Sequence, residues 1–156
     1  MEKLSVMVER GQVEIMGGGF YEPLLTLIPA GDAIDQIKAF SDYLFNKFGK
    51  APRGIWLTER VWEPSLVDLL CNAGIEYTVT DDTHFIYAGL SDEVLDGYYL
   101  TESQGRILKI FPGSMKLRYL VPFHPVSETL DFLKEIKRQY FRVLADDGEK
   151  FGLWPG

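Results

Sequence analysis

The sequence predicts an α/β protein built around a mainly parallel sheet. Short runs rich in β-branched and aromatic residues alternate with longer segments of helical period, and glycine or proline separates them. Parallel strands need long crossover connections, usually helices, so this alternation favours a parallel sheet. Polar and charged residues follow directly after several of the predicted strands, which is where parallel α/β folds build their active sites.

Five strands and four helices are predicted along the chain. The strands are 13–16, 54–58, 76–80, 106–111 and 141–145, and the helices are 4–10, 32–48, 64–73 and 127–140. Gly11 is expected to end the first helix, Asp32 to cap the second and Pro64 to lie in the first turn of the third. The segment from about 84 to 101 has no clear period and is predicted to be irregular.

Composition excludes several classes of protein. The 156 residues suit a single domain, and the net charge of −7 leaves no basic stripe to bind nucleic acid. No apolar run is long enough to span a membrane, and the N-terminus has no signal-peptide pattern, so we expect a cytoplasmic protein. The single cysteine, Cys71, is expected to be a buried packing thiol, and no cofactor is expected.

Three glycines at 17–19 do not form a nucleotide-binding loop. Glu22 stands where a dinucleotide fingerprint needs its third glycine, and no Gly-Lys-Ser/Thr sequence follows. We therefore expect a tight turn that lets residues 20–22 approach the sheet.

Two carboxylates follow separate predicted strands. Glu59 comes after strand 54–58, and Asp147 comes after strand 141–145. If both strands belong to one sheet, the two side chains face the same crevice, and two facing carboxylates are the minimum equipment for cleaving a glycosidic bond. The alternative is that such acids cap helices or pair with Arg60 and Lys150.

Aromatic residues cluster beside these acids. Flat aromatic faces next to polar groups suit stacking against sugar rings, although aromatic residues at strand ends are also common in protein cores. The residues concerned are Phe20, Tyr21, Trp56, Trp62 and Trp154.

A second cluster offers a different chemistry. Asp81, Asp82 and His84 follow strand 76–80 and could hold a divalent ion in a metal-dependent carbohydrate deacetylase. The chain has only two histidines, and they are not spaced as a pair of metal ligands, so a structural Asp–His pair is the favoured interpretation and no metal is expected.

Three longer blocks of sequence carry a family resemblance. They read GGFYEP at 18–23, WLTERVWEP at 56–64 and DDGEKFG at 146–152. In this order and spacing they resemble signature blocks of glycoside hydrolase family 57, which contains α-amylases, 4-α-glucanotransferases, amylopullulanases and branching enzymes acting on α-glucans. The TERVWEP form is most similar to the 4-α-glucanotransferase and α-amylase branch.

The resemblance implies a retaining mechanism on an incomplete (β/α)7 barrel, with about five strands of a seven-stranded TIM-like barrel present. Glu59 matches the nucleophile and Asp147 the general acid/base. The other matching positions line the sugar-binding cleft or neighbour the catalytic acids, and they are Glu22, Trp56, Arg60, Asp146 and Glu149.

Two signature blocks of the family have no counterpart here, an early His-Gln-Pro block and a block after the acid/base. Residues 1–156 are therefore expected to be the central part of a catalytic domain. Five strands cannot close a seven-stranded barrel, so a complementing polypeptide is the expected partner, besides an α-glucan or maltooligosaccharide substrate. The alternative is an inactive fragment that binds glucan or a complementing half. Hydrolysis and transfer to a second glucan both remain open.

Overall fold

The computed structural model describes residues 2–92, 95–136 and 141–153. Its helices are α1 (Glu2–Glu9), α2 (Ala30–Phe48), α3 (Leu66–Asn72), α4 (Asp82–Tyr87), α5 (Met115–Leu120) and α6 (Val126–Glu135). Its strands are β1 (Gly54–Trp56), β2 (Tyr77–Asp81), β3 (Tyr99–Ser103) and β4 (Arg106–Gly113). Short 3₁₀ helices occupy Leu25–Leu27, Thr58–Arg60 and Gly148–Phe151. None of the helices in this described part is both long and apolar enough to cross a membrane.

The four strands form one sheet in the order β1-β2-β4-β3. β1 and β2 are parallel, with the third helix between them in sequence, whereas β3 and β4 pair as an antiparallel hairpin. The predicted α/β class is confirmed, but the hairpin lies partly in the segment predicted to be irregular. Its two-residue turn, Gln104–Gly105, has positive φ at both residues, as tight hairpins require. Because glutamine rarely fills that position, the sequence carried only a weak turn signal.

Two predicted strands are wrong. Residues 13–16 form no strand, and Gly17 after them makes a single parallel bridge with Ile55. Within 141–145, Val143 makes a single parallel bridge with Gly113. The described residues therefore hold four strands, one of them unpredicted, where the sequence suggested five. Hydrophobic periodicity cannot show whether an apolar segment finds a full set of ladder partners.

The four predicted helices are confirmed, with corrected ends. α2 begins after Pro29 without a side-chain cap, and Asp32 lies in its first turn. Pro64 precedes α3, which begins at Leu66. α6 ends at Glu135, and the predicted continuation over 137–140 lies outside the described residues. α4 and α5 were not predicted, because six residues are too few to show a helical period.

The chain divides into two compact units. The first is Met1–Val79 with Tyr99–Ile110, and the second is Thr80–Tyr98 with Phe111–Gly156. The core of the first unit comes from α2, β1, α3 and neighbouring residues, and its members are Leu25, Ala33, Ile37, Ile55, Leu57, Leu66, Val67, Leu69, Leu70, Ile75 and Leu108. Cys71 is half-buried and packs against this core, and burial raises the pKa of its thiol. The prediction of a packing thiol is therefore confirmed, although the side chain is not fully covered.

Gly54 and Tyr77 face each other at the start of β1 and β2. A Cβ atom at Gly54 would lie 2.2 Å from Cζ of Tyr77, so the tyrosine ring covers the glycine directly. The Tyr77 hydroxyl donates to Oε1 of Glu14 at 3.0 Å. Burial, with the Glu14 carboxylate acting in the same direction, raises the pKa of Tyr77 to about 12. The pairing of β1 with β2 at this point thus requires glycine at residue 54.

Candidate functional site

The segment that carries Glu59 leaves β1 through a strained turn. Glu59 has φ +55° and ψ +14°, and Arg60 has φ +57°, so two successive non-glycine residues adopt the left-handed conformation. Each such residue costs about 1–3 kcal/mol and is kept only where the surrounding structure enforces it. Glu59 is exposed. The first candidate carboxylate therefore projects from a distorted turn at the carboxyl end of β1.

The glycine block lies beside the same strand. The Gly17 N–H donates to the Gly54 carbonyl at 2.8 Å, and the Trp56 N–H donates to the Gly17 carbonyl at 2.9 Å. A turn follows in which the Glu22 N–H donates to the Gly19 carbonyl at 3.0 Å. A Cβ at Gly19 would lie only 2.6 Å from Cδ of Pro23, so this turn excludes a side chain. The expected tight turn is confirmed, but the Phe20 and Tyr21 N–H groups donate to the backbone and side-chain oxygens of Gln36, so these residues lie against α2.

Backbone strain concentrates at the predicted site residues. In the part of the chain that the structure describes, four non-glycine residues have positive φ: Glu22, Glu59, Arg60 and Gln104. The last of these closes the β3–β4 hairpin, where the turn geometry explains it. The other three are predicted site residues on two different segments, and strain of this kind clusters at functional sites.

The aromatic residues beside these acids have separate roles. Trp56 is half-buried, and the guanidinium carbon of Arg60 lies 5.8 Å from its ring centroid. Trp62 packs against the core of the first unit. Tyr21 is 79 % exposed and packs edge-on against Phe20, with ring centroids 5.0 Å apart. Trp154 lies outside the described residues. Phe20, Tyr21 and the half-buried Trp56 thus present aromatic surface to solvent, and Trp62, also half-buried, packs against the core.

The segment that carries Asp147 lies in the second unit and follows the Gly113–Val143 bridge. The Ser114 N–H donates to the Val143 carbonyl at 2.8 Å. Asp147 is half-buried and directly precedes the 3₁₀ helix Gly148–Phe151 with an extended backbone, at φ −76° and ψ +136°. Glu149 is exposed within that short helix. The second candidate carboxylate is therefore held by unstrained backbone.

Asp146, beside it, forms a buried ion pair with Lys150. Oδ2 of Asp146 accepts from Nζ of Lys150, and only 5 % and 3 % of the two side chains are exposed. The alternative from the sequence pairs Lys150 with Glu59 or Asp147, whereas the ion pair in the structure is with the neighbouring Asp146. The spacing of four residues between Asp146 and Lys150 was the available signal for this contact. Sequence reasoning did not identify Lys150 as part of the site.

The proposed metal cluster is not assembled. Oδ2 of Asp81 accepts from Nη2 of Arg118 at 3.1 Å, and Oδ2 of Asp82 accepts from the Met115 N–H at 3.0 Å. Burial raises the pKa of Asp82. Among the described residues no three His, Cys, Asp or Glu side chains lie in a group that could hold a metal ion. The hypothesis of a metal site at Asp81, Asp82 and His84 therefore finds no support.

Glu22, Trp56, Glu59 and Arg60 thus belong to the first unit, and Asp146, Asp147 and Glu149 belong to the second. Within each unit the predicted residues are neighbours along one or two short segments. The convergence of Glu59 and Asp147 on one sugar stays a prediction.

Comparison with known proteins matches the whole chain. The profile of Glycosyl hydrolase family 57 covers residues 1–156. Alpha-amylase 1 of Dictyoglomus thermophilum is 54 % identical over 99 % of this chain, and 4-alpha-glucanotransferase of Thermococcus litoralis is 48 % identical over all of it. The crystal structure of the Thermococcus litoralis enzyme superposes with a TM-score of 0.92 at 49 % identity, over 98 % of this chain and 24 % of that one.

The chain spans about a quarter of the length of these relatives, 23 % of the first and 24 % of the second. The three blocks at 18–23, 56–64 and 146–152 all lie within the matched residues. A family profile over the full length, relatives near 50 % identity and a superposition at 0.92 agree on one assignment. The chain belongs to glycosyl hydrolase family 57.

Proposed function

We propose that these residues form the central part of the catalytic domain of a retaining glycosidase acting on α-1,4-glucans, of the 4-α-glucanotransferase or α-amylase type. In this proposal Glu59 is the nucleophile and Asp147 the general acid/base. The observation that carries the proposal is the left-handed backbone of Glu59, Arg60 and Glu22, because such strain persists where function requires it. The names of the relatives support the substrate class.

The mechanism needs two steps. In the first, a carboxylate oxygen of Glu59 bonds to the anomeric carbon while the bond to the glycosidic oxygen breaks, and Asp147 gives that oxygen its proton. In the second, Asp147 takes a proton from water or from a sugar hydroxyl, whose oxygen then displaces Glu59. Water as acceptor gives hydrolysis, and a second glucan gives transfer.

The remaining predicted residues are proposed to hold the glucan or the catalytic acids. The half-buried ring of Trp56, backed by the Arg60 guanidinium, offers a face on which a sugar ring can stack. Glu22 and Glu149 are exposed and can accept hydrogen bonds from sugar hydroxyls. Asp146 is proposed to belong to the same site, although both its oxygens are already engaged.

A complete active site is proposed to need more polypeptide than these residues supply. A (β/α)7 barrel needs seven strands, and the described residues contribute four strands and two single bridges. The coverage of about a quarter of each relative supports an incomplete barrel of this type. Its partner would be a complementing polypeptide that carries the remaining strands.

The test replaces each proposed catalytic carboxylate with its amide. Glu59→Gln and Asp147→Asn should each lower maltoheptaose turnover by about 10²-fold or more, because each removes a group that reacts in the transition state. Products are measured by chromatography on the protein in the form that turns over glucan, alone or completed by the missing polypeptide. Glu9→Gln and Asp42→Asn, at exposed helical carboxylates, are the matched controls and should leave turnover unchanged.

Two results would contradict the proposal. Full turnover in either amide variant would remove that residue from the mechanism. Binding of maltoheptaose without any shorter or longer product, in every form of the protein, would favour the inactive glucan-binding fragment instead.

A further inference from the structure

Lys150 is a buried charged residue that the proposed mechanism does not use. It is only 4 % exposed in the folded chain. Lysine is almost never fully buried unless its ammonium group is paired, because removal of the charge from water is costly. Replacement of a buried ion pair by well-packed apolar residues is often neutral or stabilising, so stability alone is a weak reason for such a lysine. Its contacts indicate a more specific role.

The ammonium group of Lys150 is held from three sides. Nζ donates to Oδ2 of Asp146 and to the backbone carbonyl of Arg118. It also lies over the ring of Phe123, 5.1 Å from the centroid, where the π face attracts a cation. An ammonium group has three N–H donors, and this arrangement leaves it little freedom to move. The lysine therefore fixes the position of the Asp146 carboxylate.

The same carboxylate holds the backbone of the next residue. Oδ1 of Asp146 accepts from the Asp147 N–H at 3.1 Å, while the Lys150 N–H donates to the Asp147 carbonyl at 3.3 Å. The peptide groups on both sides of the Asp147 Cα are thus tied, directly or through Asp146, to Lys150. A displacement of the lysine would change the direction in which the Asp147 carboxyl points.

We propose that Lys150 is a positioning residue for the general acid/base, acting through Asp146 to fix the backbone of Asp147. The inference rests on the proposed role of Asp147. An acid that protonates a leaving oxygen must lie within hydrogen-bond reach of it, and a misplacement of about 1 Å costs about 10²-fold in rate. Asp146 then acts behind Asp147 and not against the sugar.

The test compares two substrates in order to distinguish a misplaced general acid from a general loss of structure. Cleavage of maltoheptaose requires protonation of the leaving oxygen, whereas α-maltosyl fluoride releases fluoride, a far better leaving group that needs little proton transfer. Lys150→Met should lower kcat on maltoheptaose by about 10²-fold with KM nearly unchanged, while fluoride release in the first turnover falls by less than about 3-fold. Asp147→Asn, measured in parallel, should show the same selectivity.

Two further variants guard against a folding defect. Lys150→Met combined with Asp146→Asn leaves neither buried charge unpaired and should show the same selective loss. Lys134→Met removes the lysine of an exposed pair with Asp131 in α6, and both substrates should react as in the parent protein.

The results distinguish a positioning role of Lys150 from a purely structural one. Equal loss on both substrates in Lys150→Met, or failure of both Lys150 variants to fold, would show that the lysine is only structural and would overturn the inference. A selective loss on maltoheptaose in Lys150→Met and in the double variant supports it, and unchanged rates on both substrates in Lys150→Met would overturn it. If Asp147→Asn loses both substrates equally or neither, the proposed role of Asp147 fails independently of Lys150.

Discussion

Glu59 and Asp147 lie in similar local structures, yet different forces hold the two segments. Glu59 follows β1 and Asp147 follows the Gly113–Val143 bridge, and each lies in or next to a 3₁₀ helix. The Glu59 segment is shaped by the backbone: Gly17 pairs with β1, and the turn itself has left-handed φ angles. The Asp147 segment has unstrained backbone and depends on charged side chains that are removed from solvent.

The difference determines which substitutions each segment tolerates. A segment with a strained backbone and closely packed glycines is sensitive to the addition of a single carbon atom, but changes of side-chain charge affect it little. A buried ion pair is sensitive to the loss of either charge, because the remaining one stays unpaired in a medium of low polarity. Added side-chain atoms should therefore disrupt the Glu59 segment, whereas loss of a buried charge should disrupt the Asp147 segment.

The largest expected effect is at the buried charge of the second unit. Lys150→Met leaves the Asp146 carboxylate unpaired and should lower the free energy of unfolding by about 3–5 kcal/mol. Lys134→Met, at a pair whose side chains are 73 % and 69 % exposed, should change it by less than about 0.5 kcal/mol. Denaturant unfolding measures both. Comparable losses at the two lysines would remove the distinction between the segments.

A substitution in the first unit should act through sterics alone. Gly54→Ala places Cβ 2.2 Å from the Tyr77 ring, so the ring must move and loses its hydrogen bond to Glu14. Overpacking of this kind costs about 2–3 kcal/mol. Gly31→Ala, in the first turn of α2 with no atom within 4 Å of the new Cβ, is the control and should be neutral or stabilising. Equal stabilities for the two variants would show that the sheet adapts to a side chain at residue 54.

Much of this architecture was predictable from the pattern of residues. The helices with a full apolar face were found, because residues such as Ile34, Ile37 and Leu44 recur at helical spacing along α2. The β3–β4 hairpin and the six-residue helices α4 and α5 were missed, since their formation depends on pairing and packing with distant parts of the chain. Residues 13–16 were predicted to be a strand, but whether a segment pairs with β1 is a tertiary property, and only Gly17 after them does so.

The sequence indicated the acids of the candidate site but not the backbone geometry and the buried lysine beside them. Glu59 and Asp147 stand out because carboxylates after strand ends are typical of active sites. The positive φ of Glu59 and Arg60 has no sequence signal, since neither residue type favours it. The burial of Lys150 was equally hidden, because its partners include the Arg118 carbonyl and the Phe123 ring, about thirty residues away.

The smallest expected effect tests the strain at Glu59 directly. Glu59→Gly relieves the left-handed conformation of an exposed residue, and it should raise the free energy of unfolding by about 1 kcal/mol while it abolishes turnover. Glu59→Ala keeps a Cβ in the same conformation, so it should lose turnover without the gain in stability. Gln104→Gly, at the strained turn of the β3–β4 hairpin, should give a similar gain and keep turnover intact. Stabilisation at both positions, with loss of activity only at residue 59, would mean that the strained backbone there is kept because of the carboxylate it carries. A lower free energy of unfolding in Glu59→Gly would mean instead that contacts of the Glu59 side chain hold the turn.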